Sequence, residues 1–148
     1  MKTVQVRDGK ERSLQRRHPW VFEGSVAIGK ADSGETVRVI GADGKFLAWA
    51  AYSPQSSIRL RAWSFEETQR IDAAFFAARI SQAVALRSRL AVASDGVRLI
   101  HGEADGLPGL VVDAYGDTLC AVSQRRRAAL EAADRRRLAR RHGPHPSV

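Results

Sequence analysis

Four strand-like runs crowd into the first 65 residues: "TVQV", "ETVRVI", "FLAWAAYS" and "SIRLRAW". Between the second and third lies "GADGK", a turn with Asp-Gly at its centre, and between the third and fourth lies Pro54. Strands this short and this close leave no room for crossover helices, so an open α/β sheet is excluded and a small barrel-like β domain is expected. "KERSLQRR" reads as a short helix that stops where Pro19 biases His18 away from helical geometry. The next stretch, "RRHPWVFEGSV" (Arg16 to Val26), follows neither period. It is expected to form the helix-to-strand corner of the barrel, with Trp20 and Phe22 turned into the core and stacking on a base as the alternative for them.

The pattern then changes period. From Asp72 to Val92 an Ala-rich segment carries Ile71, Phe75, Ile80, Val84 and Leu90 near helical spacing. Strand signals return in "VRLIH", "LVVD" and "TLCAV", joined by the loop "GEADGLPG" and the turn "AYGD". The expected fold class is α+β: a small β barrel, then an incomplete α+β unit of one long helix and short antiparallel strands. At Gln124 the texture shifts to an Arg/Ala-rich tail with only Leu130 and Leu138 as bulky apolar residues. The domain boundaries follow at 1–68, 70–123 and 124–148.

Charge divides the chain in the same way. The net charge is +8, but residues 1–64 hold 11 Lys/Arg against 6 Asp/Glu, residues 65–123 hold 5 against 8, and residues 124–148 hold 8 against 2. Basic ends raise the expectation of a polyanionic partner. A single cysteine excludes an intramolecular disulfide, and four scattered histidines draw no Cys/His zinc cluster. No apolar run reaches the ~18 residues of a membrane span, and "MKTVQVRDGKERS" lacks the apolar stretch of a secretory signal, so a cytoplasmic protein with no membrane partner is expected. No glycine-rich strand-to-helix turn or P-loop is present, so no cofactor is expected in this chain.

Two groups of residues suit RNA. Strand alternation in "SIRLRAW" places Arg59, Arg61 and Trp63 in one row, where guanidiniums could meet phosphates and an indole could stack on an unpaired base. The alternative for this row is a solvated barrel face with Trp63 packed on the following helix. Lys10, Arg12, Arg16 and Arg17 lie on or beside the first helix, either as phosphate contacts or as a wet helix face. His18 has no Ser, Cys or carboxylate placed by a motif to work with it, so catalysis there is not expected. Glu103 and Asp105 lie in a Gly/Pro-dense turn and make a poor cation site. Cys120, between apolar neighbours, is expected to be a small buried hydrophobe.

Taken together, "RRHPWVFEGSV", "FLAWAAYSPQSSIRLRAWSFEE", "RIDAAFFAARISQAVALR" and "RLIHGEADGLPGLVVDAYGD" resemble the N-terminal part of the ribosomal large subunit methyltransferase I family, in its order and spacing, to about Cys120. The resemblance implies a PUA domain, a β barrel associated with RNA binding, followed by the start of a small central α+β domain. It also implies relatives that use S-adenosylmethionine to methylate carbon 5 of a cytosine in 23S rRNA. The methyltransferase domain's cofactor loop and catalytic cysteine motif are absent, and Cys120 inherits no role from them. After Gln124 the resemblance stops, as a frameshift in a GC-rich gene would make it. The expected function is therefore an RNA-binding module, with 23S rRNA as partner and no catalysis by this chain alone. The alternatives are a piece of a split or frameshifted enzyme active only with a separate catalytic domain, and a non-functional truncated product. The oligomeric state stays open.

Overall fold

A computed structural model describes residues 1–91 and 93–123. The expected basic tail at 124–148 lies outside the described residues. The chain divides into two compact units, Met1–Ile71 and one beginning at Asp72.

In the first unit, strands β1 (Thr3–Val6), β2 (Trp20–Phe22), β3 (Val26–Ile28), β4 (Thr36–Ile40), β5 (Phe46–Tyr52) and β6 (Ile58–Ser64) form one sheet in the order β2-β6-β5-β4-β1-β3. All neighbours are antiparallel except β1 and β4. Val4 and Val6 of β1, Val21 of β2, Val37 and Val39 of β4, Ala48, Ala50 and Tyr52 of β5, and Leu60 and Ala62 of β6 share a single buried cluster. A sheet whose members from one end to the other pack into one cluster must curl around it. Register shifts between Gln5 and Val6, Val21 and Phe22, Val39 and Ile40, and Trp49 and Ala50 supply the extra twist. The helix α1 (Arg12–Gln15) adds Leu14 to the same core. The "GADGK" turn forms as expected, with Gly41 N donating to Lys45 O at 2.9 Å and Gly44 taking φ +80°.

The second unit starts with helix α2 (Ala73–Leu90), capped by Asp72, whose Oδ1 accepts from Phe75 N at 3.0 Å. Its buried residues are Phe75, Phe76, Ile80, Ala83 and Val84, a stripe at helical spacing. Leu90, expected in that stripe, is 62% exposed: it is the last helical residue, before Ala91 turns the backbone left-handed. Strands β7 (Gly96–His101), β8 (Leu110–Tyr115) and β9 (Thr118–Ser123) form an antiparallel meander in chain order. Leu99 and Ile100 of β7, Leu107, and Leu110, Val112 and Ala114 of β8 are buried. Each such burial contributes about 1.5–3 kcal/mol for the larger side chains. Cys120, expected to be buried, is exposed, because β9 is an end strand of this sheet and mostly open to solvent. Among the described residues, no helix is long and apolar enough to cross a membrane.

Candidate nucleic-acid interface

Helix α1 is only four residues long, and its single buried side chain, Leu14, fixes which way the others face. Lys10, Arg12, Arg16 and Arg17 are all exposed. The helix is closed by His18 N donating to Ser13 O at 2.9 Å and Arg17 N to Leu14 O at 2.8 Å. This pair of bonds places Arg17 at the left-handed position, φ 60°, which glycine usually fills. An L residue there costs roughly 1–2 kcal/mol, so an arginine is held in place at some expense to stability.

Elsewhere on the described surface, several cations are matched with carboxylates, and the exposed ones without an ion pair, Arg7, Lys30 and Arg89, are scattered rather than clustered. Lys2 contacts Asp32 and Glu35, Lys45 contacts Asp43, Arg38 contacts Glu67, and Arg98 grips Asp113 with both ends of its guanidinium. The pairs hold the Asp113 and Asp43 carboxyls below their ordinary values, chiefly through hydrogen bonds from Arg98 and Lys45. Glu35 is lowered first by the Asp32 backbone N–H and then by Lys2. Among the described residues, no carboxylate comes within ion-pair distance of Lys10, Arg12, Arg16 or Arg17. The α1 corner is thus a patch of four unneutralised charges within eight residues.

The row proposed on β6 is organised differently. Arg59, Arg61 and Trp63 are 9%, 8% and 5% exposed, so they do not form an open face. Two bulges account for the broken alternation. Val21 and Phe22 pair with Leu60 and Ile58, skipping Arg59; Trp49 and Ala50 pair with Ser64 and Ala62, skipping Trp63. An extra residue in a bulge is re-aimed relative to its neighbours. Arg59 bonds the carbonyls of Ser53 and Pro54, pairs with Glu23, and sits 5.9 Å above the Tyr52 ring. It braces the β5–β6 turn against the end of β2. Arg61 donates to Ile58 O at 3.2 Å.

The opening corner also departs from expectation. Val21 is the residue of β2 that enters the core; Trp20 is half-buried and Phe22 is 52% exposed. His18 is exposed, accepts from Trp20 N at Nδ1 (3.2 Å), and meets the Trp20 ring edge-on at 5.6 Å. For Phe22 the core is the expected place and base stacking the alternative. Its only sequence signal is its place two positions after Trp20, on the same side of a strand.

In the second unit, Asp105 is structural. Its oxygens take a two-point grip from Arg87 at 2.6 and 2.7 Å, and Oδ2 also accepts from His101 N at 2.6 Å. Among the described residues, no three His, Cys, Asp or Glu side chains converge as a metal site.

A family model described as a PUA-like domain matches residues 4–65. Proteins named ribosomal RNA large subunit methyltransferase I from Klebsiella pneumoniae, Shigella boydii and Escherichia coli are 48% identical to this chain over 134 residues. The alignments cover 84% of this chain and 34% of each relative, so the chain spans about one third of their length. A Streptococcus mutans protein assigned as a SAM-dependent methyltransferase superposes with a TM-score of 0.74 at 18% identity, over 95% of this chain and 37% of its own. A protein likewise assigned as a methyltransferase, solved with SAH, gives 0.75 at the same identity and coverage. At that identity the likeness is one of fold, whereas the 48% identity is one of descent. Residues 4–65 are a PUA-like domain, and over 84% of its length the chain is similar to about one third of the proteins named ribosomal RNA large subunit methyltransferase I.

Proposed function

We propose that the first unit is an RNA-binding module whose ligand is ribosomal RNA, 23S rRNA by the family resemblance, and that the α1 corner is its phosphate grip. The observation that carries this is the absence of ion-pair partners, among the described residues, for Lys10, Arg12, Arg16 and Arg17. An exposed cation already matched with a carboxylate gains little from a phosphate; an unmatched one releases the phosphate's counterions in full. Arg59 braces the β5–β6 turn against Glu23 and Arg61 bonds within β6, and with Trp63 both are buried, so the phosphate grip is assigned to α1 instead.

The described residues do not fit S-adenosylmethionine, the cofactor of the family. The connection into α2, residues 65–72, contains no glycine, and the Asp72 carboxylate already occupies the start of the helix by accepting from Phe75 N. No step of methyl transfer is therefore assigned to these residues. The module's part is to bind and orient RNA for chemistry performed elsewhere.

Filter binding of the chain to rRNA fragments tests the proposal. Four phosphate contacts give a slope of log K against log salt near about −3, equivalent to roughly 50-fold weaker binding between 50 and 200 mM salt. Arg16→Ala with Arg17→Ala should make that slope shallower by about 1.4. Undetectable or salt-insensitive binding refutes it.

A further inference from the structure

We infer that the side of β2 turned away from the core is a stacking site for an unpaired nucleobase, so that the RNA taken by the α1 corner is single-stranded at the point of contact. This rests on the RNA-binding reading above and adds the class of RNA. Three rings follow one another at alternate positions. His18 is exposed, Trp20 is half-buried, and Phe22 is among the most exposed large apolar side chains of the first unit. Val21 between them is 2% exposed and belongs to the core cluster. Its pairing partner Leu60 is fully buried, and residues opposite one another across an antiparallel pair share a face. The sheet's own register therefore drives Val21 inward and leaves Phe22 outward, while Trp20, opposite the buried Arg61, is half-covered. The extra residue of the neighbouring bulge lies in β6, so alternation along β2 itself is intact.

Position and chemistry support a nucleotide as the occupant. β2 is an end strand of the sheet and packs beside α1, and the rings follow Arg16 and Arg17 directly along the chain. A polyanion with flat apolar bases suits cations beside rings; an uncharged protein segment has no use for the cations. The backbone at Trp20 also orients the imidazole. Because His18 Nδ1 accepts from Trp20 N, the neutral ring carries its proton on Nε2, which is a donor for a base edge or a phosphate oxygen. A base paired inside a duplex offers no open face to these rings, whereas an unpaired one stacks on any of them.

The test is fluorescence anisotropy of the full chain with a short unstructured RNA and with a blunt duplex of the same length. Phe22→Ala should weaken the single strand roughly 5-fold or more, leaving the salt slope and the duplex affinity unchanged. Phe22→Trp should restore binding, because any flat ring supplies the stack; since Phe22 is exposed, neither change threatens the core. Arg16→Ala with Arg17→Ala should weaken both RNAs and reduce the slope. If Phe22→Ala leaves single-strand affinity unchanged while the arginine variant still weakens both RNAs, the stacking site is overturned and the phosphate grip stands; Phe22 is then a seat for a protein segment. If neither RNA binds the unaltered chain, both fall.

Discussion

Replacing Asp105 with alanine should unfold the second unit while leaving the first intact. The Asp105 and Arg87 side chains are 6% and 15% exposed, and Arg87 also donates from Nε to Arg98 O at 3.1 Å and from Nη1 to Ala83 O at 3.4 Å. The guanidinium thus ties α2 to β7, and Asp105 supplies its counter-charge. Removing one partner of a buried ion pair costs about 3–5 kcal/mol, because the other charge stays desolvated. His101 N loses its acceptor as well, adding about 1 kcal/mol. At roughly 0.05–0.15 kcal/mol per residue, a unit of about fifty described residues has about 2.5–7.5 kcal/mol of stability to lose. Asp105→Ala therefore removes most or all of it. Asp105→Asn keeps an acceptor for His101 N and loses only the charge, so its cost is smaller. Arg87→Met with Asp105→Leu, which leaves no buried charge behind, should be more stable than Asp105→Ala alone. Native-state hydrogen exchange reads this unit by unit: Ile100 and Val112 amides should lose protection while those of Val37 and Leu60 keep it. A loss below about 1 kcal/mol at Ile100 in Asp105→Ala would refute the reasoning, since the pair would then be acting as a solvated surface contact.

Three further outcomes are expected. Gly29→Ala should destabilise the first unit by about 1–3 kcal/mol in urea unfolding: φ is +111°, and the new Cβ would stand 2.6 Å from Thr3 O and 2.8 Å from Val4 Cα, backbone that moves only if β1 shifts. The Asp113 carboxyl is held below its ordinary value by Arg98, so its folded value lies under its unfolded one. Its contribution is present above about pH 4 and is lost as pH falls through the lower folded value, and Asp113→Asn should flatten that acid-side loss of protection in β7 and β8. Cys120 in the native chain should be alkylated by iodoacetamide at a rate within a few-fold of the urea-unfolded chain, read by mass spectrometry; strong protection would mean that β9 is covered.

The elements with a long period were legible because periodicity integrates over many residues. Seven-residue strands such as β5 and β6 and the eighteen-residue α2 are recognisable as elements from their own residues, although the face each residue of β6 takes is set by its neighbours. The three-residue strands do not. For Trp20-Val21-Phe22, hydrophobicity alone sends two aromatics inward and one valine outward, since the rings hide more apolar area. The outcome is the reverse, because the long-range pairing of Val21 with Leu60 decides the face. Apolar content fixes how much a strand can bury; register decides which residues do it.

The same logic governs the arginines, and it shifts the weight of the candidate site from strand β6 to the helix α1. Alternation in "SIRLRAW" is sound only while the ladder is regular, and β6 carries an extra residue against each of its two neighbours, Arg59 facing β2 and Trp63 facing β5. A central strand that must curl around a core needs such bulges, yet nothing in the strand's own residues marks where they fall. Once Arg59 is turned onto the carbonyls of the β5–β6 turn and onto Glu23, its charge is spent within the fold. The proposed phosphate grip draws on the exposed cations on and beside α1, where Leu14 alone is buried and no ion pair engages Lys10, Arg12, Arg16 or Arg17 among the described residues. A basic residue is a contact candidate in proportion to how little the fold itself uses it. By that measure, Arg16 and Arg17, sequence neighbours of the exposed rings of His18 and Phe22, outrank the arginines of β6, although both sets look alike in the sequence.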